Sequence, residues 1–558
     1  MPMWFGRLRG DRSAGGAGAA PAVPGGRLRR VRAGRCAGAL VAGALPALAF
    51  PAPSLWWLAY VALVPWLLLI ASADTGRRAA LDGWLGGTGF ILAVHHWLMP
   101  SLHVFILVLA ALLGLLWAPW GLLVSRALGG TPAPSRAVAA VAVVPSGWLM
   151  IELIRSWEGL GGPWGLLGAS QWQSGPGLRT ASVGGVWLVS LLVVAVNTAV
   201  ALLLTRPAAR TAAVACLVAC AVGVAAVQVW APAPSTAGTA RIAVVQPGVI
   251  SGPDSVERRF ARSEELTRSL ADGADGSGES DGTFQAGEGR GTGEDRGAGE
   301  DIDLVVWGES SVGVDLTRSP ATTGRLAALS REVGADILVN MDARRTDAPD
   351  RSGIFKSAVL VGPDGPTGDR YDKMRLVPFG EYVPARSVLG WATSVGKAAG
   401  EDRLRGDTPV VMDLPDADGL RIGPLVCFET AFPDMSRRLV LDGAQVLVAQ
   451  SSTSTFQHSW APAQHASLGA LRAAESGRPM VHATLTGVSA VYGPRGGRVG
   501  PRIGTGASRA LVYDVPLAVG TTLYVRLGAW PVYGALAVLA GYLGRAGLRR
   551  LGSPRREP

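Results

Sequence analysis

Long apolar runs fill the first part of the chain. Seven windows reach or approach the roughly 20 apolar residues a helix needs to cross a bilayer core: about 35–50, 54–72, 79–99, 101–124, 137–154, 181–204 and 211–230. The first is short and rich in Ala and Gly, so six early spans remain an alternative to seven. An eighth window lies at about 525–544. The first run starts too late, with others too close behind it, for a cleaved signal peptide. The pattern predicts a polytopic α-helical membrane protein of about eight transmembrane helices.

Between the last two windows the pattern changes to short β-branched runs: IAVVQ (242–246), DLVVW (303–307), DILVN (336–340), SAVLVG (357–362), PVVMDL (409–414), IGPLVC (422–427) and VLVAQ (446–450). Helical patterning separates several of them, at 255–270, 321–333, 433–442 and 464–476. Strands that are apolar throughout and alternate with helices indicate a layered α/β domain with buried sheets. Residues 271–300 interrupt it with ten Gly, eight acids and Phe284 as the lone large apolar side chain, a composition that predicts a flexible acidic insertion. The expected organisation is a basic tail (1–34), a membrane domain of about seven helices (35–234), an α/β domain (235–520), a last helix (521–546) and a second tail (547–558).

Charge orients this arrangement. The first 35 residues carry eight Arg and one acid, Asp11. Arg77 and Arg78, Arg126 and Arg136, and Arg206 and Arg210 occupy every second loop, and Arg545, Arg549, Arg550, Arg555 and Arg556 follow the last window. The intervening loops near 51–53 and 100 are uncharged. By the positive-inside rule both termini are cytoplasmic and 235–520 is extracytoplasmic.

Composition narrows the function classes. With 49% hydrophobic and only 17% charged residues, the chain of 558 residues is too apolar for an ordinary soluble enzyme. The net charge of +10 lies mostly beside the spans, without the aromatic interleaving of nucleic-acid binders. Its 75 Gly follow no collagen period, and four Cys cannot form a disulfide framework.

Three reactive side chains close or follow apolar runs: Glu309 after LVVWG, Lys373 in RYDKMRLVPFGEYVP and Cys427 after IGPLV. A strand end turns a polar group toward a cleft while the sheet holds its backbone. Cys427 is the lone Cys of the α/β domain, so no disulfide partner explains it.

The spaced set VVWGES, YDKMRLVPFGEYVP and PLVCFETAFPD resembles the Glu–Lys–Cys signature of the nitrilase (carbon–nitrogen hydrolase) superfamily. With spans before and after the domain, and with LRAAESGRPMVHATLTGVSAVYGPRG and TLYVRLGAWP further on, it resembles the bacterial apolipoprotein N-acyltransferases within it. The resemblance implies an α-β-β-α sandwich and a cysteine nucleophile working by ping-pong in a bacterial cell membrane. An acyl chain would pass from a phospholipid through a Cys thioester to the N-terminal amine of a diacylglyceryl apolipoprotein, with no cofactor or metal. Glu309 would take the Cys427 proton, and Lys373 would favour the thiolate and stabilise the oxyanion. The Phe428 amide is a candidate second oxyanion donor, and Glu381 and Glu429 would support the site, Glu381 by orienting Lys373 or by handling protons. Loops carrying Trp391 and Phe456 would cover the acyl chain. Two departures stand out: Phe428 replaces the family's usual Tyr, and VVQPGVISGPDSVERR lacks a Trp often found there.

Other signals carry less. His458 and His465, seven apart, make no recognised metal spacing, and GWATSVGKA (390–398) departs from a phosphate loop in spacing and in its final Ala. Cys216 and Cys220 share a helix face, and His95 and His96 lie in a span. Two other readings remain at this point: a membrane-tethered hydrolase of small amides or nitriles, and a transporter or receptor whose outer domain only binds ligand.

Overall fold

A computed structural model describes residues 25–130, 134–271, 301–345, 353–390, 400–414, 417 and 419–551. The proposed insertion at 271–300 (apart from Ala271), most of both tails, and Trp391 with the rest of GWATSVGKA after Gly390 lie outside the described residues.

Helices fall on every apolar window. Among the described residues three are long and apolar enough to cross a membrane: Pro134–Arg155, Gly175–Thr205 and Pro207–Trp230. Phe105–Gly114 and Trp117–Leu128, bent by 41° at their junction, make a fourth if taken as one span. The helices Gly25–Ala44, Gly76–Val94 and Trp530–Leu551 contain Arg, Asp or many Gly, which dilute their apolar length, and Trp56–Ala71 is short. Glycine lets some of them approach closely: a Cβ on Gly43 would lie 2.0 Å from the Gly86 carbonyl oxygen, and one on Gly89 2.0 Å from that of Leu40. Asp82, fully buried, is paired with Arg78 at 2.7 Å and Arg35 at 2.8 Å.

The α/β part is two six-stranded sheets. The first, in the order β12-β1-β2-β3-β4-β5, comprises β1 (Ser235–Gln246), β2 (Leu304–Trp307), β3 (Asp336–Arg345), β4 (Gly353–Gly362), β5 (Gly365–Asp372) and β12 (Arg509–Val519). The second, β11-β10-β9-β8-β7-β6, comprises β6 (Met412–Leu414), β7 (Leu420–Val426), β8 (Val446–Ser451), β9 (Met480–Thr484), β10 (Ser489–Tyr492) and β11 (Arg498–Ile503). In each, three parallel strands (β1-β2-β3 and β7-β8-β9) are flanked by antiparallel ones.

Alternation along the strands builds the layers. Ile242, Val244, Leu304, Val306, Leu338 and Leu360 join the core of the second sheet. Their neighbours Ala243, Val245, Val305, Trp307, Ile337 and Val361 pack with Phe260 and Leu326, which belong to the helices Ser255–Ala271 and Pro320–Val333. Helices Pro433–Leu441 and Ala461–Ser476 cover the second sheet, which completes an α-β-β-α sandwich. Polar groups tie the sheets at depth: Gln450 Nε2 donates to the Trp307 carbonyl at 2.9 Å, and Thr484 Oγ1 to Gln246 Oε1 at 2.8 Å.

Ser235 at the start of β1 pairs with Val519 at the end of β12. Entry and exit are therefore adjacent, and the sandwich hangs between the helices Arg210–Trp230 and Trp530–Leu551. It also docks on the helical part. The helix Gly175–Thr205 loses helical geometry at Gly184 and Gly185, and the freed Val186 amide donates to buried Glu475 Oε1 at 2.6 Å.

Candidate active site

Glu309, Lys373 and Cys427 converge at one end of the sandwich. Glu309 lies two residues past β2, Lys373 directly past β5 and Cys427 directly past β7. β2 and β7 belong to different sheets, so the carboxylate and the thiol lie on the two halves of the sandwich.

Cys427 has φ +52°, a left-handed conformation unusual for a non-glycine residue, at the turn from β7 into the 3-10 helix Cys427–Ala431. Such a turn throws the side chain clear of the sheet and presents the following amide, that of Phe428, beside it. His465 Nε2 lies 2.9 Å from the Cys427 carbonyl oxygen. Burial pushes His465 down to about 4, so the ring is neutral; the carbonyl only accepts, so Nε2 carries the proton.

The Cys427 thiol and the Glu309 carboxylate are near enough to shift each other's protonation. Lys373 Nζ lies 3.5 Å from Glu309 Oε1 and 2.7 Å from Glu381 Oε1. Lys373 is fully buried, and Glu309 and Glu381 are 3% and 6% exposed, so these charges interact with little water between them. The loop after Lys373 aims Glu381: its Oε2 accepts from the Val377 amide at 2.8 Å, and Phe379 at φ +62° reverses the chain. Glu429 touches no reacting group. Its Oε1 accepts from the Tyr371 hydroxyl and the Met374 amide at 2.7 Å each and the Arg375 amide at 3.0 Å, and its Oε2 from the Val426 amide at 2.8 Å. It fastens the Lys373 loop to the turn that bears Cys427.

The electrostatics fix the resting protonation. Burial, reinforced by the Glu309 charge, pushes the Cys427 thiol up to about 12, against the pull of Lys373. Burial would raise Glu309 too, but the Lys356 and Lys373 ammoniums outweigh it and hold the carboxylate at about 2. Lys373 is raised: burial opposes its charge, yet Glu381 and Glu309 more than compensate. The site rests as thiol, carboxylate and ammonium.

Lys356, in the middle of β4, is the participant that sequence reasoning missed. Its Nζ lies 2.8 Å from Glu309 Oε1, closer than that of Lys373. The one local signal was an ammonium set inside the apolar strand GIFKSAVLVG. Tyr371 was missed as well, because its role depends on Glu429, a residue distant in sequence.

The helical part reaches the rim. A Cβ on Gly162 would lie 2.5 Å from the Phe428 ring, and Phe428 stacks edge-on against Phe432 at 5.0 Å. Glu158 pairs with Arg375 at 3.2 Å and with Arg405. Trp164 Nε1 donates to Gln464 Oε1 at 2.8 Å, and half-buried Phe456 packs on Trp97 at 4.9 Å. Of the two histidines weighed for metal spacing, His458 is exposed while His465 lies under Cys427. Among the described residues no three His, Cys, Asp or Glu side chains cluster as metal ligands.

Two family models match the chain: the Apolipoprotein N-acyltransferase N-terminal domain over residues 42–199 and Carbon-nitrogen hydrolase over residues 241–522. The apolipoprotein N-acyltransferase of Azotobacter vinelandii is 32% identical over 531 residues, covering 90% of this chain and 93% of that protein. The proteins of that name from Pseudomonas aeruginosa and Geobacter metallireducens are 29% and 28% identical, each covering 90% of this chain and 94% of the relative.

Proposed function

The chain belongs to the apolipoprotein N-acyltransferase family, and on that footing we propose that it acylates the N-terminal amine of diacylglyceryl-cysteine apolipoproteins, with a membrane phospholipid as donor and Cys427 as nucleophile. The observation that carries the residue assignment is buried Lys373, 3.5 Å from Glu309 and 2.7 Å from Glu381, with Cys427 at φ +52° on the facing strand end.

In the first half-reaction the Cys427 sulfur attacks an acyl ester carbonyl as its proton passes to Glu309. Lys373 and the Phe428 amide face the oxyanion, a type of contact whose loss typically costs about 2.7–4 kcal/mol of transition-state stabilisation. Collapse expels the lysophospholipid alkoxide, which takes the proton back from Glu309 and leaves a thioester. In the second, the acceptor's α-amine attacks the thioester and gives a proton to Glu309. The tetrahedral intermediate then expels Cys427 sulfur, which recovers that proton, and an amide remains. Glu381 keeps Lys373 charged and in place.

The helical part serves this chemistry by keeping both lipid-anchored substrates in the bilayer while the reacting groups meet above it. In this reading the apolar windows make eight spans, both termini are cytoplasmic, and the sandwich stands on the extracytoplasmic face of a bacterial cell membrane. The basic loops support that orientation. So does the contact of the elbow residue Phe428 with Gly162, between two helices long enough to span.

The test incubates the detergent-solubilised protein with diacyl phospholipids alone. Intact-protein mass spectrometry should find a hydroxylamine-labile acyl adduct that clears when a diacylglyceryl-cysteine peptide is added. Cys427→Ala should carry no adduct; acyl transfer at the wild-type rate by that variant refutes the assignment. Turnover of a water-soluble amide with no phospholipid consumed would instead identify a hydrolase.

A further inference from the structure

Lys356 closes a ring of alternating charge. Glu381 Oε1 lies 2.7 Å from Lys373 Nζ and 3.5 Å from Lys356 Nζ, and Glu309 Oε1 lies 2.8 Å from Lys356 Nζ and 3.5 Å from Lys373 Nζ. Each carboxylate offers one oxygen to both ammoniums. The ring is drawn from β4, the loop after β5 and the end of β2, and it sits below Cys427.

We infer that Lys356 is a positioning residue that acts through Glu309, holding that carboxylate ionised and in register with the thiol during acyl transfer. The inference rests on the assignment of Glu309 as proton acceptor.

Charge counting gives the physical reason. With the thiol neutral, two carboxylates and two ammoniums sum to zero. When sulfur attacks, the proton neutralises Glu309 and an oxyanion appears, so the sum stays zero. Without Lys356 the same site would carry one net negative charge before and after attack, in surroundings with little water to screen it. Glu309 would then bind a proton more readily and be unable to accept one at mildly acid pH.

Direction matters too. Lys356 Nζ also donates to Ser310 Oγ at 3.3 Å, so it fixes the backbone next to Glu309 as well as its oxygen. Its far side faces Asp342 Oδ2 at 3.9 Å, which Arg403 neutralises at 3.2 Å. Other groups facing Glu309 are Lys373, Cys427 and neutral His465, so Lys356 and Lys373 supply its two cations among the groups that act on it most strongly.

The sign follows. Glu309 must be ionised to accept a proton, so acylation is present above its folded-state pKa and lost as pH falls through it. Held at about 2, it leaves the wild type without an acid limb across the range in which proteins stay folded. Removing an adjacent opposite charge moves a carboxylate up by about 1–3 pH units.

The experiment measures single-turnover formation of the Cys427 acyl adduct against pH, using full-length protein and a defined mixture of diacyl phospholipids. K356M and the more isosteric K356Q should form the adduct above pH 7 and show an acid limb that the wild type lacks, about 1–3 pH units above the Glu309 value near 2. K356R, which keeps the charge, should lack that limb as the wild type does. The inference is overturned if K356M and K356Q, like the wild type, show no acid limb down to about pH 3. It is overturned equally if folded variants with unchanged melting behaviour form no adduct at any pH. E309Q separates the two readings: adduct formation at the wild-type rate by E309Q would remove Glu309 as the base, whatever the Lys356 variants do.

Discussion

Replacing Glu429 by Gln removes one charge and turns one of two acceptor oxygens into a donor while leaving the side-chain volume almost unchanged. As a carboxylate, Glu429 accepts three hydrogen bonds on Oε1, from Tyr371, Met374 and Arg375, and one on Oε2, from Val426. An amide can satisfy only one side. With its oxygen toward the three donors, its NH2 meets the Val426 N–H, donor against donor. Reversed, it leaves three donors without an acceptor. The better orientation still strands one buried backbone N–H, at about 1–3 kcal/mol. The strain falls on the reacting ends of the site, because Val426 precedes the nucleophile and Met374 follows Lys373. If the transition state bears the whole cost, acylation slows by about 5- to 160-fold. Glu429→Ala strands all four donors and should also lower the melting temperature. The assay is the rate of acyl-adduct formation on Cys427, read by intact-protein mass spectrometry beside a melting curve. Glu429→Gln with the wild-type rate and the wild-type melt would refute the claim that this carboxylate aligns the two halves of the site.

The resting thiol should alkylate slowly. In a background with Cys36, Cys216 and Cys220 replaced by Ala, iodoacetamide modification of Cys427 should rise about tenfold per pH unit through pH 10, because the thiol is held up near 12. A plateau near pH 8 would show that the thiolate is already formed. Gly308→Ala should slow acylation strongly, since its Cβ would lie 2.0 Å from the Leu485 amide nitrogen and displace the adjoining Glu309. The cost is of the overpacking kind, about 1–3 kcal/mol or more, and a variant that acylates at the wild-type rate would show that Glu309 does not depend on that close approach.

The sandwich was legible where one strand or helix signals itself. β2, β3, β4, β7 and β8 are apolar on both faces because both faces are covered, so their runs stand out without any partner being known. β5 was not legible: GPTGDRYD has no apolar run and becomes a strand by folding back on β4. β12 belongs beside β1, across most of the domain's length, and a pairing of that separation leaves no local trace.

By itself the sequence determined what depends on a side chain and its immediate neighbours: apolar windows, basic loops, a Glu and a Cys at the close of apolar runs, and a Lys in RYDKMRLVPFGEYVP. A membrane helix or a buried strand is a local property, set by transfer of consecutive residues out of water. The tertiary structure decided what depends on distance through space. It set Lys356 nearer to Glu309 than Lys373 is, gave Glu429 four donors from two separate segments, and left the thiol protonated beside an ionised base. Coulomb interaction and desolvation vary with ångströms between atoms rather than with residues along the chain, so the charge balance of this site arose only when β2, β4 and the loop after β5 came together.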